Sequence, residues 1–328
     1  MGQSKVTPLP SNLDLAGKTA VVTGASAGMG LETARQLLAR NCDTLILAVR
    51  NTTKGEACAQ ELLNNPTIKA KAKCPVVKVL PLDVDRYESV QSFAKCLQKE
   101  VPVVNILVLN AGIARLNMER APTGHERCLQ VNYLSNALLL FDLLPNLYSS
   151  AEKSGFATRV TWVGSRRHDG GGTFESAPPA PGTSILNRLD SDERSSVTTR
   201  YADSKLLCAM FMYALAPRLD SSKIVLNMVC PGMVSTGMSD FLPWYGRVLA
   251  GALKVVKGAR PVEVGGLLIV NAAVVAGVEG HGRHFSDKEI MEVSEYIRSE
   301  AGQAVQKTLW EETLQEMREI TSLPAEIS

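Results

Sequence analysis

The chain lacks the features that mark several large classes of protein. Its 328 residues contain no apolar run approaching the roughly 18 residues that a membrane-spanning helix needs. The first stretch, MGQSKVTPLPSNLDLAGK, has no apolar segment of the kind found in secretory signals. Lys and Arg are spread along the chain and the net charge is only +2, so there is no basic patch for nucleic acid. We therefore expect a cytoplasmic protein with no integral membrane segment and no nucleic-acid partner.

Cysteine and histidine also occur without the spacing of metal or redox motifs. None of the seven cysteines forms a C-x-x-C pair, and most lie within apolar runs, so we expect reduced and buried thiols. His281 and His284 are close in sequence but lack a second pair of ligand residues. We therefore predict no metal site.

What the chain does have is a regular alternation of short apolar runs and longer helical segments. Runs such as TAVVTG, TLILAVR and NILVLNAG are nearly continuous in apolar residues, as expected for a parallel sheet buried on both faces. Helical stretches such as LETARQLLAR separate them. This alternation predicts an α/β fold with a doubly wound parallel sheet of about seven strands and helices on both faces. No linker divides residues 1–328, so we expect a single domain.

Two segments interrupt the alternation. Residues 166–199 are rich in Gly, Pro and Ser and are long for a loop, which is typical of a functional or mobile segment. Residues 235–260 read as a helical insertion. Together with the 166–199 segment, its apolar side chains, such as Trp244, favour the wall of a pocket for a bulky apolar substrate. Core packing, a membrane-surface contact or a subunit contact, as in a homodimer, remain alternatives. Residues 288–328 read as an amphipathic helix that packs on the domain or on a partner subunit.

The stretch TGASAGMG, from Thr23 to Gly30, stands between the first strand and the first helix. Gly24 allows a tight turn, Gly28 lets a diphosphate approach the backbone, and Gly30 permits close packing of helix and strand. Free N–H groups and the positive end of the helix dipole then face the anion. A glycine-rich structural turn is the alternative, but the position between strand and helix favours a phosphate-binding loop.

The end of the second strand discriminates between the two nicotinamide cofactors. An acidic residue there binds a ribose 2′-OH, whereas a basic residue accommodates a 2′-phosphate. The stretch AVRNTTK places Arg50 at this position and offers no Asp or Glu. The sequence therefore favours NADP(H), with a solvated charge at the strand end as the alternative.

Further motifs follow in a fixed order. They are LDV at Leu82–Val84, NAG at Asn110–Gly112, Ser165 after the fifth strand, Y-x-x-x-K at Tyr201–Lys205 and CPGMVST at Cys230–Thr236. With the T-G-x-x-x-G-x-G loop, this order resembles the short-chain dehydrogenase/reductase family from about Ala16 to Asp287. The stretch LAVRN and the long segment before Tyr201 resemble its retinol-dehydrogenase-like and fungal biosynthetic members. The resemblance implies a Rossmann-type sheet.

The resemblance also implies the functional residues. The catalytic residues would be Asn132, Ser165, Tyr201 and Lys205. The cofactor would contact Gly24, Ser26, Gly28, Met29, Gly30, Arg50, Asp83, Val84, Asn110, Ala111, Gly112, Tyr201, Lys205, Pro231, Gly232, Val234 and Thr236. Asn132 would hold a water in a proton relay; an amide that satisfies a backbone group is the alternative. Ser165 is preferred to Ser195 and Ser196 because it directly follows a strand.

The implied activity is that of an NADPH-dependent oxidoreductase. It would transfer hydride between nicotinamide and a ketone or secondary alcohol of a bulky apolar small molecule, as in secondary-metabolite biosynthesis. Tyr201 would give the proton, Lys205 would stabilise the tyrosinate and hold the nicotinamide ribose, and Ser165 would donate to the carbonyl oxygen. A non-redox lyase, epimerase or cyclase on the same fold is the alternative. A nucleotide-sensing interaction protein is disfavoured because all four catalytic positions are filled.

Overall fold

A computed structural model describes residues 6–180, 182–191, 196–235 and 258–327. Its centre is a sheet of eight strands in the order β3-β2-β1-β4-β5-β6-β7-β8. The strands are β1 Thr19–Thr23, β2 Thr44–Val49, β3 Val76–Pro81, β4 Ile106–Leu109, β5 Thr158–Val163, β6 Ile224–Cys230, β7 His284–Ser286 and β8 Glu289–Ile290. The chain reverses its direction across the sheet between β3 and β4, which opens a crevice at the carboxyl ends of β1 and β4.

The predicted doubly wound parallel sheet is confirmed, with one strand more than the sequence indicated. β1 to β7 pair in parallel, and only β8 runs antiparallel to β7. β8 has two exposed residues, so it carries no apolar run that a sequence pattern would detect. Asp287 and Lys288 form its connection to β7 with φ values of 54° and 71°, the left-handed turn that suits a two-residue hairpin.

Helices cover both faces of the sheet. The longer ones are α1 Gly28–Ala39, α2 Thr52–Asn64, α3 Tyr87–Glu100, α4 Ser135–Ser154, α5 Ile185–Ser191, α6 Val197–Leu215, α7 Val262–Val270 and α8 Glu300–Ile320. Two π-helical segments, Gln130–Leu134 and Asn271–Val275, adjoin α4 and α7. None of the helices in the described ranges is long and apolar enough to cross a membrane.

Each face of the sheet has its own apolar core. Val21 of β1 packs in one core, with Trp162 and Phe211, whereas its neighbours Ala20 and Val22 pack in the other. Successive side chains of a strand point to opposite faces, so burial of both faces favours apolar residues at successive positions. This explains the continuous apolar runs in the sequence.

The first predicted insertion, residues 166–199, includes helical structure within its described part. It contains a 3₁₀ turn at Arg166–His168 and helix α5, and Phe174 is fully buried. A Cβ on Gly172 would lie 1.9 Å from Oδ1 of Asp203 on α6, so the run of three glycines lets this segment lie directly against that helix. Most of the second predicted insertion, residues 236–257, lies outside the described residues.

The carboxyl-terminal segment, predicted as an amphipathic helix over residues 288–328, forms α8 from Glu300 to Ile320, and α8 packs on the sheet domain. Leu309 and Met317 are buried in the core that contains α6. The Glu312 carboxylate accepts hydrogen bonds from the backbone N–H groups of Ile185 and Leu186, at 3.1 and 3.0 Å. α8 therefore caps α5 and anchors the 166–199 segment.

Candidate active site

The glycine loop follows β1 and turns into α1 at the sheet's carboxyl edge. Gly24 and Gly28 have positive φ values of 66° and 53°. Ala27, the residue before α1, gives no side-chain hydrogen bond to the helix. A Cβ on Gly30 would lie 2.5 Å from the Gly24 oxygen, so this position requires glycine. Backbone N–H groups at the start of a twelve-residue helix, in a loop whose turns are made by glycines, suit a diphosphate.

The N-A-G segment is tied directly to the glycine loop. The Thr23 hydroxyl accepts hydrogen bonds from the N–H groups of Asn110 and Ala111, both at 2.9 Å. The side-chain amide of Asn110 donates in turn to the backbone carbonyl oxygen of Thr23 at 2.8 Å. The two segments that the sequence assigned to cofactor contact are thus one unit at the crevice. Ser26 and Met29, partly buried within the loop, belong to the same unit.

Arg50 stands beside this unit at the end of β2. Its side chain is 64% exposed, and one guanidinium nitrogen lies 3.6 Å from Oδ2 of Asp85. Asp83 and Val84 follow the neighbouring strand β3 and are partly buried. The Val84 oxygen accepts a hydrogen bond from the Ser135 hydroxyl at 2.6 Å. The structure therefore brings the predicted adenosine-binding residues together at one edge of the crevice.

Tyr201 and Lys205 lie one turn apart on α6. Lys205 is only 4% exposed, and its ammonium donates to the Val163 oxygen at the end of β5, at 2.9 Å. The same nitrogen lies 5.8 Å from the centre of the partly exposed Tyr201 ring. A Cβ on Gly112 would lie 3.5 Å from it, so glycine there leaves the cation open toward the crevice.

Asn132 is fully buried in the π-helical segment that precedes α4. Its Oδ1 accepts from the Ile113 N–H at 2.7 Å, and its Nδ2 donates to the Ile113 oxygen and to the Ser204 hydroxyl, both at 2.9 Å. Both amide hydrogens are thereby used within the protein. The backbone-satisfying alternative is realised, and one Oδ1 lone pair remains for a relay water. Single π turns inside helices are frequent at functional sites.

Ser165 follows β5, as predicted, and is partly exposed. Its hydroxyl oxygen accepts from the Arg167 N–H at 3.2 Å, which leaves the hydroxyl hydrogen free to be donated. The ring of His168 holds the Ser165 carbonyl oxygen at 2.6 Å and packs 4.7 Å from the ring of His284. Burial, reinforced by the charges of His168 and Arg166, lowers the pKa of His284 to about 3, so this ring stays neutral.

The P-G segment after β6 is fastened to the Ser165 turn. The Cys230 sulfur accepts hydrogen bonds from the N–H groups of Arg166 and Gly232, at 3.1 and 3.4 Å. Pro231 and Val234 are buried against this turn, and Val234 bridges to Arg260. Thr236, also predicted to contact the cofactor, lies outside the described residues.

Several contributing residues escaped the sequence-based prediction. The Ser204 hydroxyl connects Asn132 to the Tyr201 carbonyl oxygen, to which it donates at 2.8 Å. The position of Ser204 three residues after Tyr201 on a helix was the available signal. Asp287 forms ion pairs with both Arg166 and Arg260. These three residues are far apart in the sequence, so no local spacing indicated that they meet. Within the described ranges, no group of three or more His, Cys, Asp or Glu residues is placed to bind a metal.

Comparison with known proteins agrees with this geometry. The model of the short chain dehydrogenase family matches residues 18–166. The chain is 53% identical over 322 residues to the short chain dehydrogenase yanD of Aspergillus niger, covering 98% of this chain and 97% of that protein. Identity to the short chain dehydrogenase macD of Penicillium terrestre is also 53%, over 325 residues, covering 99% and 98%.

A solved structure shows the same fold. The NADP complex of Pseudomonas aeruginosa RhlG aligns with a TM-score of 0.62 and 22% identity, covering 85% of this chain and 97% of that one. At this identity the likeness concerns the fold alone. The two fungal relatives share about half of their residues with this chain over nearly their whole length. This confirms the resemblance found in the motifs. The chain belongs to the short-chain dehydrogenase/reductase family of oxidoreductases.

Proposed function

We propose that the chain is an NADPH-dependent carbonyl reductase for a bulky apolar ketone, and the matching alcohol dehydrogenase in reverse. The observation that carries this proposal is the buried Lys205 ammonium, which is 5.8 Å from the Tyr201 ring and borders the crevice at Gly112. A cation in this position can stabilise the negative charge that tyrosine acquires when it transfers its proton to a substrate oxygen. The fungal relatives support a role in secondary-metabolite biosynthesis.

The residues at the crevice fit a nicotinamide dinucleotide. The glycine loop would hold the diphosphate, Asp83 and Val84 would flank the adenine, and the N-A-G segment would border the ribose. Pro231 and Gly232 would cover the nicotinamide. When bound, the reduced cofactor supplies the hydride; the chain supplies orientation and control of the proton.

The remaining roles concern the substrate oxygen. Tyr201 gives its phenolic proton to this oxygen, and Lys205 stabilises the tyrosinate that remains. Ser165 donates its free hydroxyl hydrogen to the same oxygen, where negative charge develops during the reaction. Asn132, held by Ile113 and Ser204, would bind the water through which Tyr201 regains a proton.

Arg50 supports the choice of NADPH over NADH. It is the basic residue at the end of β2, it is mostly exposed, and a 2′-phosphate would reach it without displacing buried groups. The seven cysteines, all free thiols, support action in a reducing compartment such as the cytoplasm.

The test is a panel of ketones assayed with NADPH by absorbance of the reduced nicotinamide. Wild type is expected to turn over, and Tyr201→Phe to lose most of its activity while still binding NADPH. Tyr213→Phe is the matched control, because Tyr213 lies on the same helix and is also partly buried. Equal turnover of the two variants would overturn the role of Tyr201. Product formed without NADPH consumption would instead indicate a non-redox enzyme.

A further inference from the structure

Five charged residues form a continuous chain of ion pairs beside Arg50. Asp85 lies 3.6 Å from Arg50 and receives two hydrogen bonds from Arg127, at 2.8 and 2.6 Å. Arg127 also pairs with Glu119 at 2.7 Å, and Glu119 with Arg115 at 3.5 Å. The signs alternate along the chain from Arg50 to Arg115. It therefore connects the end of β2 with the segment after β4.

Exposure differs sharply between the two members of the ion pair of Arg50 and Asp85. The Asp85 side chain is 8% exposed, whereas that of Arg50 is 64% exposed. Arg127 engages both oxygens of Asp85, a bidentate geometry that holds a carboxylate firmly. The hydrogen bond to Asp85 is the main reason that the pKa of Arg127 is raised, so this guanidinium stays charged.

This arrangement bears on how a phosphate would be received. An unpaired carboxylate 3.6 Å from Arg50 would attract the guanidinium toward itself and repel a dianionic 2′-phosphate. It would also offer an acceptor for a ribose 2′-OH, the feature that favours NADH. Arg127 weakens both effects because it pairs with both oxygens of Asp85 and offsets the charge of the carboxylate. Arg50 is then held only weakly by Asp85, and its exposed guanidinium remains available to bind a 2′-phosphate.

We propose that Arg127, acting through Asp85, is a positioning residue that sets the preference for a 2′-phosphorylated cofactor. The inference rests on the proposed nicotinamide-dependent function. Replacement of Arg127 by glutamine leaves two arginines and two carboxylates among the five residues, so one positive charge is lost beside the phosphate. Asp85 then pairs more strongly with Arg50. Both changes weaken binding of NADPH, whereas NADH, which carries no 2′-phosphate, does not lose affinity.

The test is isothermal titration calorimetry of NADPH and NADH, which requires no knowledge of the substrate. In Arg127→Gln, the ratio of the NADH dissociation constant to the NADPH constant is expected to fall roughly fivefold from the loss of one nearby charge. Adding Asp85→Asn to this variant removes the uncompensated carboxylate and is expected to restore most of the ratio. The second variant also separates the charge effect from damage to folding.

Lys223→Gln is the control, because Lys223 also pairs with a carboxylate, that of Glu152 at 3.6 Å. Lys223 stands just before β6, at the amino ends of the strands, whereas the crevice lies at their carboxyl ends. The inference is overturned if Arg127→Gln changes the ratio no more than Lys223→Gln does, or if the double variant changes it as much as the single one. The wild-type constants test the proposed function separately. Wild type that binds neither nucleotide, or prefers NADH, contradicts that function and the inference together.

Discussion

Lys205 shows how strongly one residue depends on its surroundings in this protein. An ammonium that is 4% exposed requires acceptors, and the end of β5 provides one through the Val163 oxygen. Because Gly112 has no side chain, the approach to this nitrogen stays open. The cation thus lies 5.8 Å from the centre of the Tyr201 ring, at the border of the crevice.

Arg50 carries a prediction about cofactor choice. Arg50→Asp places a carboxylate where the 2′-phosphate would bind, so we expect the preference for NADPH over NADH to fall by on the order of a hundredfold. The dissociation constants of the two nucleotides, measured by calorimetry, check this. Lys223→Asp makes the same change of charge far from the crevice and should leave the preference unaltered. If the preference is unchanged in Arg50→Asp, Arg50 does not determine the choice of NADPH over NADH.

At the residue scale, the sequence predicted what local spacing encodes. Tyr201 and Lys205 are one helical turn apart, and the glycine loop is a continuous stretch, so both are visible in the sequence alone. The partners of these residues are not. Asp85 and Arg127 are 42 positions apart, and only the fold brings them together. The hydrogen bonds between Asn132 and the Ile113 backbone were equally invisible, because they depend on where the segment after β4 turns.

Helix α5 and the 166–199 segment show the limits of prediction at the element scale. α5 has seven residues and is stabilised by contacts with α8 rather than by a long apolar face of its own. The three glycines before it suggested a flexible loop. In the structure, Gly172 lies against Asp203, whose carboxylate accepts from the N–H and hydroxyl of Thr173 at 2.8 and 2.9 Å. Composition alone does not distinguish close packing from flexibility.

Glu312 provides the prediction for this element. Its carboxylate accepts two backbone N–H groups at the start of α5, as a helix cap does. Glu312→Ala is expected to lower the free energy of unfolding by about 1–2 kcal/mol, the usual cost of losing a cap. Thermal and urea unfolding measure this loss. The neighbouring Glu311→Ala is the control, because the Glu311 side chain is 62% exposed and its ion pair with Lys307 spans 4.0 Å. Equal losses in both variants would show that the cap contributes nothing.

At the scale of the whole molecule, His125 joins three distant parts of the chain. Its Nδ1 lies 2.8 Å from Asp190 at the end of α5, and its Nε2 lies 3.1 Å from Glu316 on α8. Burial acts to lower the pKa of this imidazole. The hydrogen bonds to Asp190 and Glu316, together with their charges, outweigh burial and raise the pKa to about 9. The charged ring therefore holds the segment before α4, α5 and α8 together.

This coupling predicts how stability depends on pH. A folded pKa of about 9 lies above the unfolded value of about 6.5, so the contribution is complete below pH 6.5 and lost as the pH rises through about 9. The difference in unfolding free energy between wild type and His125→Gln should therefore shrink between about pH 6 and about pH 10. Urea unfolding at a series of pH values measures it. A difference that stays constant over this range would contradict a charged His125 in the folded protein.

The architecture of the whole molecule was the most predictable level. Continuous apolar strands require two covered faces, and alternation with helices requires parallel crossovers, so the doubly wound sheet followed from the pattern. The eighth strand did not, because its two residues are exposed. The same architecture brings the glycine loop, Arg50, Ser165 and α6 to one edge of the sheet, where a nucleotide and a carbonyl group would meet.

The central claim is that this edge transfers hydride to a carbonyl carbon under control of Tyr201. The most direct measurement uses NADPH deuterated at the transferable position, a ketone that wild type consumes, and mass spectrometry of the product. We predict an alcohol that carries deuterium on the former carbonyl carbon with wild type, and almost none of this product with Tyr201→Phe. A product formed at the wild-type rate without deuterium, or deuterated product formed equally fast by Tyr201→Phe, would contradict the claim.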